Sequence, residues 1–292
     1  MKKYIVYVLI VTIAGFLSSC NKDDIDTGRS IFDSTEVYEP NKFDEWLLDN
    51  YVYPYNIQVK YRLDDNETDV NHNLVPAKYD NAVTLAKIVK FVWMEAYDEI
   101  WGIDMTRTYV PKLLHFIGNV AYTESGMILG QAEGGMKVTL FRVNEIDKKN
   151  LNIAQLNEYY FKTMHHEFTH ILNQKKAYDT SYDRISESDY VGSSWYRVSE
   201  TDALKKGFIS PYAMDRATED FAEMVAIYVT NDASTWNSML TSAGSTGKPI
   251  IEKKFEIVED YMLNSWGLDL EKLRKIVLRR QSEITEVDLS TL

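Results

Sequence analysis

The sequence predicts an α+β fold: a mixed β-sheet lobe with backing helices over about residues 41–175, a mainly helical lobe over about 176–292, and a cleft between them. Three observations lead there. Every stretch that reads as a strand falls before residue 144, a helix bearing two spaced histidines follows at about 153–175, and the later periodic segments are amphipathic helices. Helices packed on one face of a mixed sheet give an α+β or α/β arrangement.

In chain order, Asn41 to Leu48 reads as a short helical start, and Ile57 to Leu63 alternates as a strand does. Asp64 to Pro76, with Asn66, Asn71, His72 and Asn73, reads as a loop. From Asp80 to Ile100, Ala82, Leu85, Ile88, Val89, Val92 and Ala96 recur at helical spacing. Three strands follow at 112–120, 127–131 and 136–143, separated by turns containing Glu124-Ser125-Gly126 and Gly134-Gly135. The third is a candidate edge to which an extended peptide could add antiparallel. The helix at 153–175 opens on Asn152 and Gln155, a pair resembling a capping box, and carries Leu156, Tyr160, Met164, Phe168 and Leu172 as an apolar stripe. Lys175 to about Ser210 is polar, with scattered aromatics and no clear period. Helices then run from Asp215 to Thr230, from Pro249 to Trp266 and from Asp269 to Ile284.

The first 40 residues stand apart from that fold. Lys2 and Lys3 precede an apolar run from Tyr4 to Leu17, and Leu17-Ser18-Ser19-Cys20 resembles the lipobox of bacterial lipoproteins. Residues 1–19 are thus expected to be a signal peptide. Cys20 would be the lipidated first residue, residues 20–40 a flexible tether, and 41–292 the folded domain. The apolar run is short for a transmembrane helix, which needs about 20 residues, so contact with the membrane would come through the anchor only. Cys20 is the one cysteine in the sequence, so neither an internal disulfide nor a thiolate cluster is available. Asp23, Asp24 and Asp26 resemble the acidic tethers that direct some lipoproteins to the cell surface. The expected location is the bacterial outer membrane, at the surface if that tether signal operates.

Composition narrows the functional class. A hydrophobic content of 45% with 20 Tyr, 11 Phe and 6 Trp belongs to a globular chain. The net charge of −12 becomes −14 once Lys2 and Lys3 are removed, and no basic stripe interrupts it. Nucleic acid is excluded as a partner, since its phosphates would be repelled.

The chemistry sits in Met164-His165-His166-Glu167-Phe168-Thr169-His170. His166 and His170 are i and i+4 and share a helix face, so their imidazoles can close on one zinc ion while Glu167 reaches a water on it. His165 lies about 100° round the helix and reads as a bystander. A third histidine at metzincin spacing is excluded, because Asn173 and Lys176 stand where Gly and His would be needed. His72 and His115 lie far upstream, and His115 reads as a core or surface residue of its strand. A carboxylate is the better third ligand. Glu219 and Glu223, i and i+4 beside the small Ala222 and Ala226, supply two on one face.

Those residues resemble the gluzincin metallopeptidases of the zincin fold, and among them the lethal-factor type, which pairs H-E-x-x-H with a later E-x-x-A-E helix. The resemblance covers about residues 153–230. It implies that Glu219 ligates zinc, that Glu223 lies in the outer shell, and that Tyr212, seven residues before Glu219, stabilises the transition state. Asp220 departs from the pattern, an acid at a usually apolar position, which either alters the local field or faces solvent. The whole chain looks like the zinc-binding metallopeptidase lipoproteins encoded beside outer-membrane glycan-uptake systems, whose proteins become candidate neighbours. The implied activity is hydrolysis of peptide bonds in a peptide or protein substrate, with Glu167 as general base toward a zinc-activated water. Two other readings remain open. One is a catalytically inactive zinc-binding interaction module, and the other a glycan-binding surface lipoprotein using aromatics such as Trp195, Tyr196 and Trp236.

Overall fold

Hairpin geometry corrects one sequence expectation and fixes where the sheet meets the rest of the chain. The structure, a computed structural model, describes residues 39–63, 72–123, 126–128, 130–133 and 136–292. The signal segment, Cys20 and all of the tether before residue 39 lie outside the described residues. So do the first part of the expected 64–76 loop and the expected turn residues Glu124, Ser125, Gly134 and Gly135. Residues Asn41–Leu292 form one compact unit.

Helix α1, Lys42–Leu47, begins with a reciprocal capping box between Asn41 and Asp44, which satisfies amide donors that would otherwise lack partners. Strand β1, Gln58–Lys60, leads into α2, which runs Tyr79–Val89, through a π-helical turn Lys90–Met94, to Glu95–Trp101. Helix α3, Ile103–Tyr109, precedes β2, Leu113–Phe116. Strands β3, Ala121–Thr123, and β4, Gly126–Ile128, pair with each other antiparallel. Strands β5, Gly130–Glu133, and β6, Lys137–Leu140, complete the main sheet, whose order is β1-β2-β6-β5. The first three strands are parallel, as the α2 crossover allows, and β5 is antiparallel to β6.

The stretch expected as one strand at 127–131 is therefore two, β4 and β5. The stretch at 136–143 is not an edge, because β6 is held on both sides, with Leu113 opposite Lys137 and Gln131 opposite Thr139. Strand β5 pairs antiparallel with the free side of β6, so the edge position passes to β5. That edge lies beside the helix that carries the histidines.

This helix, α4, runs unbroken as Ile153–Leu156, a π-helical turn Asn157–Phe161 and Lys162–Lys175. Asn152 caps it by accepting from the Gln155 amide. An apolar residue every fourth position drifts about 40° per step round an ideal helix, so four such steps would not stay on one face. The wider π turn resets the phase, and Leu156, Tyr160, Met164, Phe168 and Leu172 are all buried. The opposite face is covered too, with Thr163, His166 and Glu167 buried.

The helical lobe holds short α5, Ser181–Ile185, and α6, Glu200–Lys205, then α7, Ala217–Thr230. Helix α8, Ala233–Trp266, breaks at Gly244, and its first half replaces what sequence reading left unassigned; α9, Leu270–Glu283, follows an Asp269 cap. Pro249 falls in the first turns after the Gly244 break rather than at a helix start. Helix α7 packs against α4, and its Phe221, Ala222, Glu223 and Ala226 are buried.

Asp220 neither faces solvent nor joins the metal face. It is fully buried on α7 and paired with the fully buried Lys254 of α8 at 2.7 Å, while Tyr190 Oη donates to it at 3.0 Å. Lys254 also donates to the Gly207 carbonyl at 2.9 Å and lies over the Phe208 ring. Burial raises the Asp220 carboxyl to about 6 against the pull of Lys254, and burial lowers the lysine. Removing one partner strands the other charge. Asp220→Asn or Lys254→Met should each destabilise the fold by about 3–5 kcal/mol in denaturant unfolding, whereas the double change Asp220→Leu/Lys254→Met should recover most of that loss.

Candidate metal centre

Two helices bring the site together. On α4, His166 and His170 are one turn apart, and their ring centroids stand 4.7 Å apart. On α7, Glu219 lies in the first turn, where the helix dipole favours a carboxylate. Glu219 Oε2 is 3.1 Å from His166 Nε2 and 3.1 Å from His170 Nε2, and the two ring nitrogens are 3.0 Å apart. These three donors are the metal-ligand cluster found among the described residues. His72 is half-buried with its ring against the Tyr122 carbonyl, His115 is buried in β2, and neither joins the cluster.

Hydrogen-bond bookkeeping shows what the cluster lacks. Glu223 Oε1 sits 3.0 Å from His166 Nδ1, and a carboxylate can only accept, so that nitrogen carries the proton. To bind a metal, His166 must give up its Nε2 proton, and Nε2 then turns a lone pair toward His170 Nε2 and Glu219 Oε2. The three donor atoms converge at 3.0–3.1 Å, a cluster held by that proton in the metal-free protein and by a cation once the proton leaves. The separations approach the ~3.3 Å edge of a tetrahedron with arms of ~2.0–2.1 Å, the geometry of zinc held by imidazole and carboxylate. The donor set fits that ion.

The surrounding groups point the same way. Burial pulls the His166 imidazole down, but the Glu219 and Glu223 carboxylates outweigh it and raise it to about 10. Burial pushes Glu219 up, yet the His166 and His170 contacts hold it well below the usual carboxylate range. Glu223 is fully buried, and burial raises it, but the Lys162 charge and the His166 bond hold it at about 2. Ser210 Oγ donates to Glu223 at 2.6 Å and Lys162 Nζ lies 3.5 Å away. The two carboxylates thus hold a proton on His166 that a metal cation can displace.

Sequence reading missed both Ser210 and Lys162. Lys162 was within reach, since it stands at i−4 from His166 on α4; Ser210 converges through a loop, which no spacing reveals. His165 turns away from the cluster into the core, where burial lowers it to about 3 and its Nδ1 shares a hydrogen bond with Tyr97 Oη at 2.9 Å.

Tyr212 stacks near His166 at 5.6 Å between centroids, and Trp195 meets it edge-on at 5.0 Å. Burial, then the nearby Glu219, pushes its hydroxyl well above its ordinary range. Glu167, His170, Tyr212 and Glu219 line one cavity of about 540 Å³. Trp236, by contrast, is buried against Tyr228 and Phe255.

Residues 36–271 match a protein family described as "Putative zinc-binding metallo-peptidase". The chain belongs to this family. A crystal structure of a putative zinc-binding metallo-peptidase from Bacteroides caccae ATCC 43185 is similar at 46% identity, with a TM-score of 0.75, covering 90% of this chain and 99% of that one. No match is found among curated proteins. The family's description fits a candidate metal site at the converging donors of α4 and α7.

Two outcomes test the centre. Between pH 7 and 9, zinc must displace the proton that the carboxylates place on His166. Its apparent affinity should therefore rise about tenfold per pH unit, with about one proton released in calorimetry across buffers of different ionisation enthalpy. Glu223→Gln should weaken zinc about 10–100-fold in chelator competition, because the bond that fixes the His166 tautomer is lost.

Proposed function

We propose that the chain is a zinc-dependent metalloendopeptidase that hydrolyses peptide bonds, with His166, His170 and Glu219 as metal ligands. One observation carries this reading above the others: His170 and Glu219 of the converging donor set line the same cavity as Glu167 and Tyr212. A bound zinc ion supplies Lewis acidity, polarising a carbonyl and lowering the pKa of water toward ~7.

The chain's own residues do the rest. Glu167, on the helix turn between the two histidines, accepts the proton of the attacking water and delivers it to the leaving amine. Tyr212 keeps its proton because burial and the neighbouring carboxylates oppose its ionisation, so it donates to the oxyanion as charge develops there. Glu223, held by Ser210 and Lys162, keeps the proton of His166 on Nδ1 and its Nε2 lone pair directed at the ion. The outer edge of β5, beside α4, would take the extended substrate backbone as an added strand. Acylation at Cys20 would hold this domain at the bacterial outer membrane, among peptide or protein substrates and neighbouring glycan-uptake proteins.

Protein lacking residues 1–20, incubated with a diverse peptide mixture, should generate new termini detectable by mass spectrometry. Glu167→Ala should reduce cleavage about 10²–10⁴-fold while still binding zinc. Tyr212→Phe should lower kcat about 10²–10³-fold and leave KM nearly unchanged, since the lost contact forms with the transition state. Removal of zinc by a chelator should abolish cleavage, and adding zinc back should restore it. A folded, zinc-loaded sample that cuts nothing in the mixture would count against the peptidase.

A further inference from the structure

The cavity extends past the metal ligands along the last turns of α4, where Asn173 follows His170 by three residues and so continues its face. Its far wall is made by Tyr178 and by Asp183 of α5. Three carboxylates, Glu167, Asp183 and Glu219, line this cavity, and no lysine or arginine does. Glu219 is committed to the ion and Glu167 to proton transfer. Asp183 has neither role, and its Oδ1 accepts a hydrogen bond from Tyr178 Oη at 3.0 Å.

Nearby cations do not cancel this charge. Arg184, next in sequence, is exposed and acts on Asp179. Arg216 is bound by Asp215 at 2.6 Å and stands 3.9 Å from Glu219, so its charge falls on those two and not on Asp183. A second observation comes from the cavity wall: the Asn173 side-chain oxygen and nitrogen are both shut off from solvent, and neither has a hydrogen-bond partner. Buried amide groups without partners are rare, and a ligand that reaches them gains what the free protein forgoes.

We propose that Asp183 makes this cavity a subsite for a basic side chain, arginine or lysine, flanking the scissile bond. The proposal rests on the peptidase reading and deepens it. One helical turn advances about 5 Å, little more than one residue of extended peptide, so a side chain beside the scissile bond falls within reach of this wall. A guanidinium brings several donors in a planar fork; Asp183 takes two, and the Asn173 oxygen becomes a further acceptor once its side chain turns toward the cavity. A volume of about 540 Å³ admits such a side chain with its water. An acidic side chain would meet like charge at Asp183.

Two measurements separate this proposal from the peptidase reading. Ligand-detected NMR on zinc-loaded protein would compare Nα-acetyl-arginine amide with Nα-acetyl-norleucine amide, in the wild type, in Asp183→Asn, and in Asp49→Asn, which removes an exposed charge outside the cavity. The arginine amide should bind at least about tenfold tighter than the norleucine amide in the wild type and in Asp49→Asn, and Asp183→Asn should erase that advantage. Equal binding of the two amides, or a preference that survives Asp183→Asn, overturns the proposal whether or not peptides are cut. In the peptide mixture, termini should be enriched for a basic residue at one position next to the cut, and Asp183→Lys should shift that position toward acidic residues. Cleavage without such enrichment would overturn the subsite and leave the peptidase standing. An Asp183-dependent preference for the arginine amide in a protein that cuts nothing would uphold the subsite and count against the peptidase.

Discussion

The contact between α4 and α7 is the constraint on which the rest depends. The His166–Glu223 bond and the His166–Glu219 approach exist only because the two helices come close, and Ala222 and Ala226, both fully buried, leave room for that approach. A larger residue at either alanine would push the helices apart. A displacement of about 1 Å would take the donor set out of bonding range for a single ion. The helices themselves are positioned from behind, α4 by Trp93, Tyr97 and Phe168 in edge-to-face contact, and α7 by Phe221 stacked on Tyr178.

Helix α7 also carries an unusual electrostatic load, with three carboxylates within five residues, two of them fully buried and Glu219 nearly so. Each is compensated in a different direction. Glu219 faces the two imidazoles and the metal position, Glu223 faces His166, Ser210 and Lys162, and Asp220 faces Lys254 and Tyr190. Buried charges of one sign on one helix would repel strongly in a low-dielectric interior if they shared a counter-charge. Separate partners on α4, α8 and the intervening loop remove that conflict. They also make the burial of α7 depend on every element around it.

Much of this was legible in the sequence because it is local. Helical spacing put His166, Glu167 and His170 on one turn, and the i, i+4 spacing of Glu219 and Glu223 put both carboxylates on one face. Their division of labour came only from family resemblance. The distances of 3.0–3.1 Å show which oxygens approach His166 Nε2 and which approach Nδ1. What stayed illegible was pairing between distant segments. The edge position passes from 136–143 to β5 because the hairpin partner covers β6. Asp220 stayed open between a local field effect and a solvent-facing position because Lys254, 34 residues later, could not be placed beside it. The first half of α8, rich in Ser and Thr and ending at Gly244, has weak intrinsic helix preference, and it is helical because Trp236, Leu240 and Ala243 pack.

Lys254 joins these threads. Its ammonium donates at once to Asp220 on α7 and to the Gly207 carbonyl, three residues before Ser210 and five before Tyr212. Gly207 holds φ at +85°, and a Cβ there would meet the Ile250 side chain at 2.3 Å, so both the left-handed backbone and the close approach of α8 require glycine. The loop that delivers Ser210 to Glu223 and Tyr212 to the face of His166 is thus tied to the helix that delivers Glu219. Neither the tyrosine nor the carboxylates lie on α4, yet they must keep register with it to a fraction of an ångström for a donor aimed at a developing charge to act. A buried charge with two acceptors supplies such register where an apolar contact would allow sliding. The acid at position 220 is therefore part of how this chain holds its site, although it touches neither metal nor substrate.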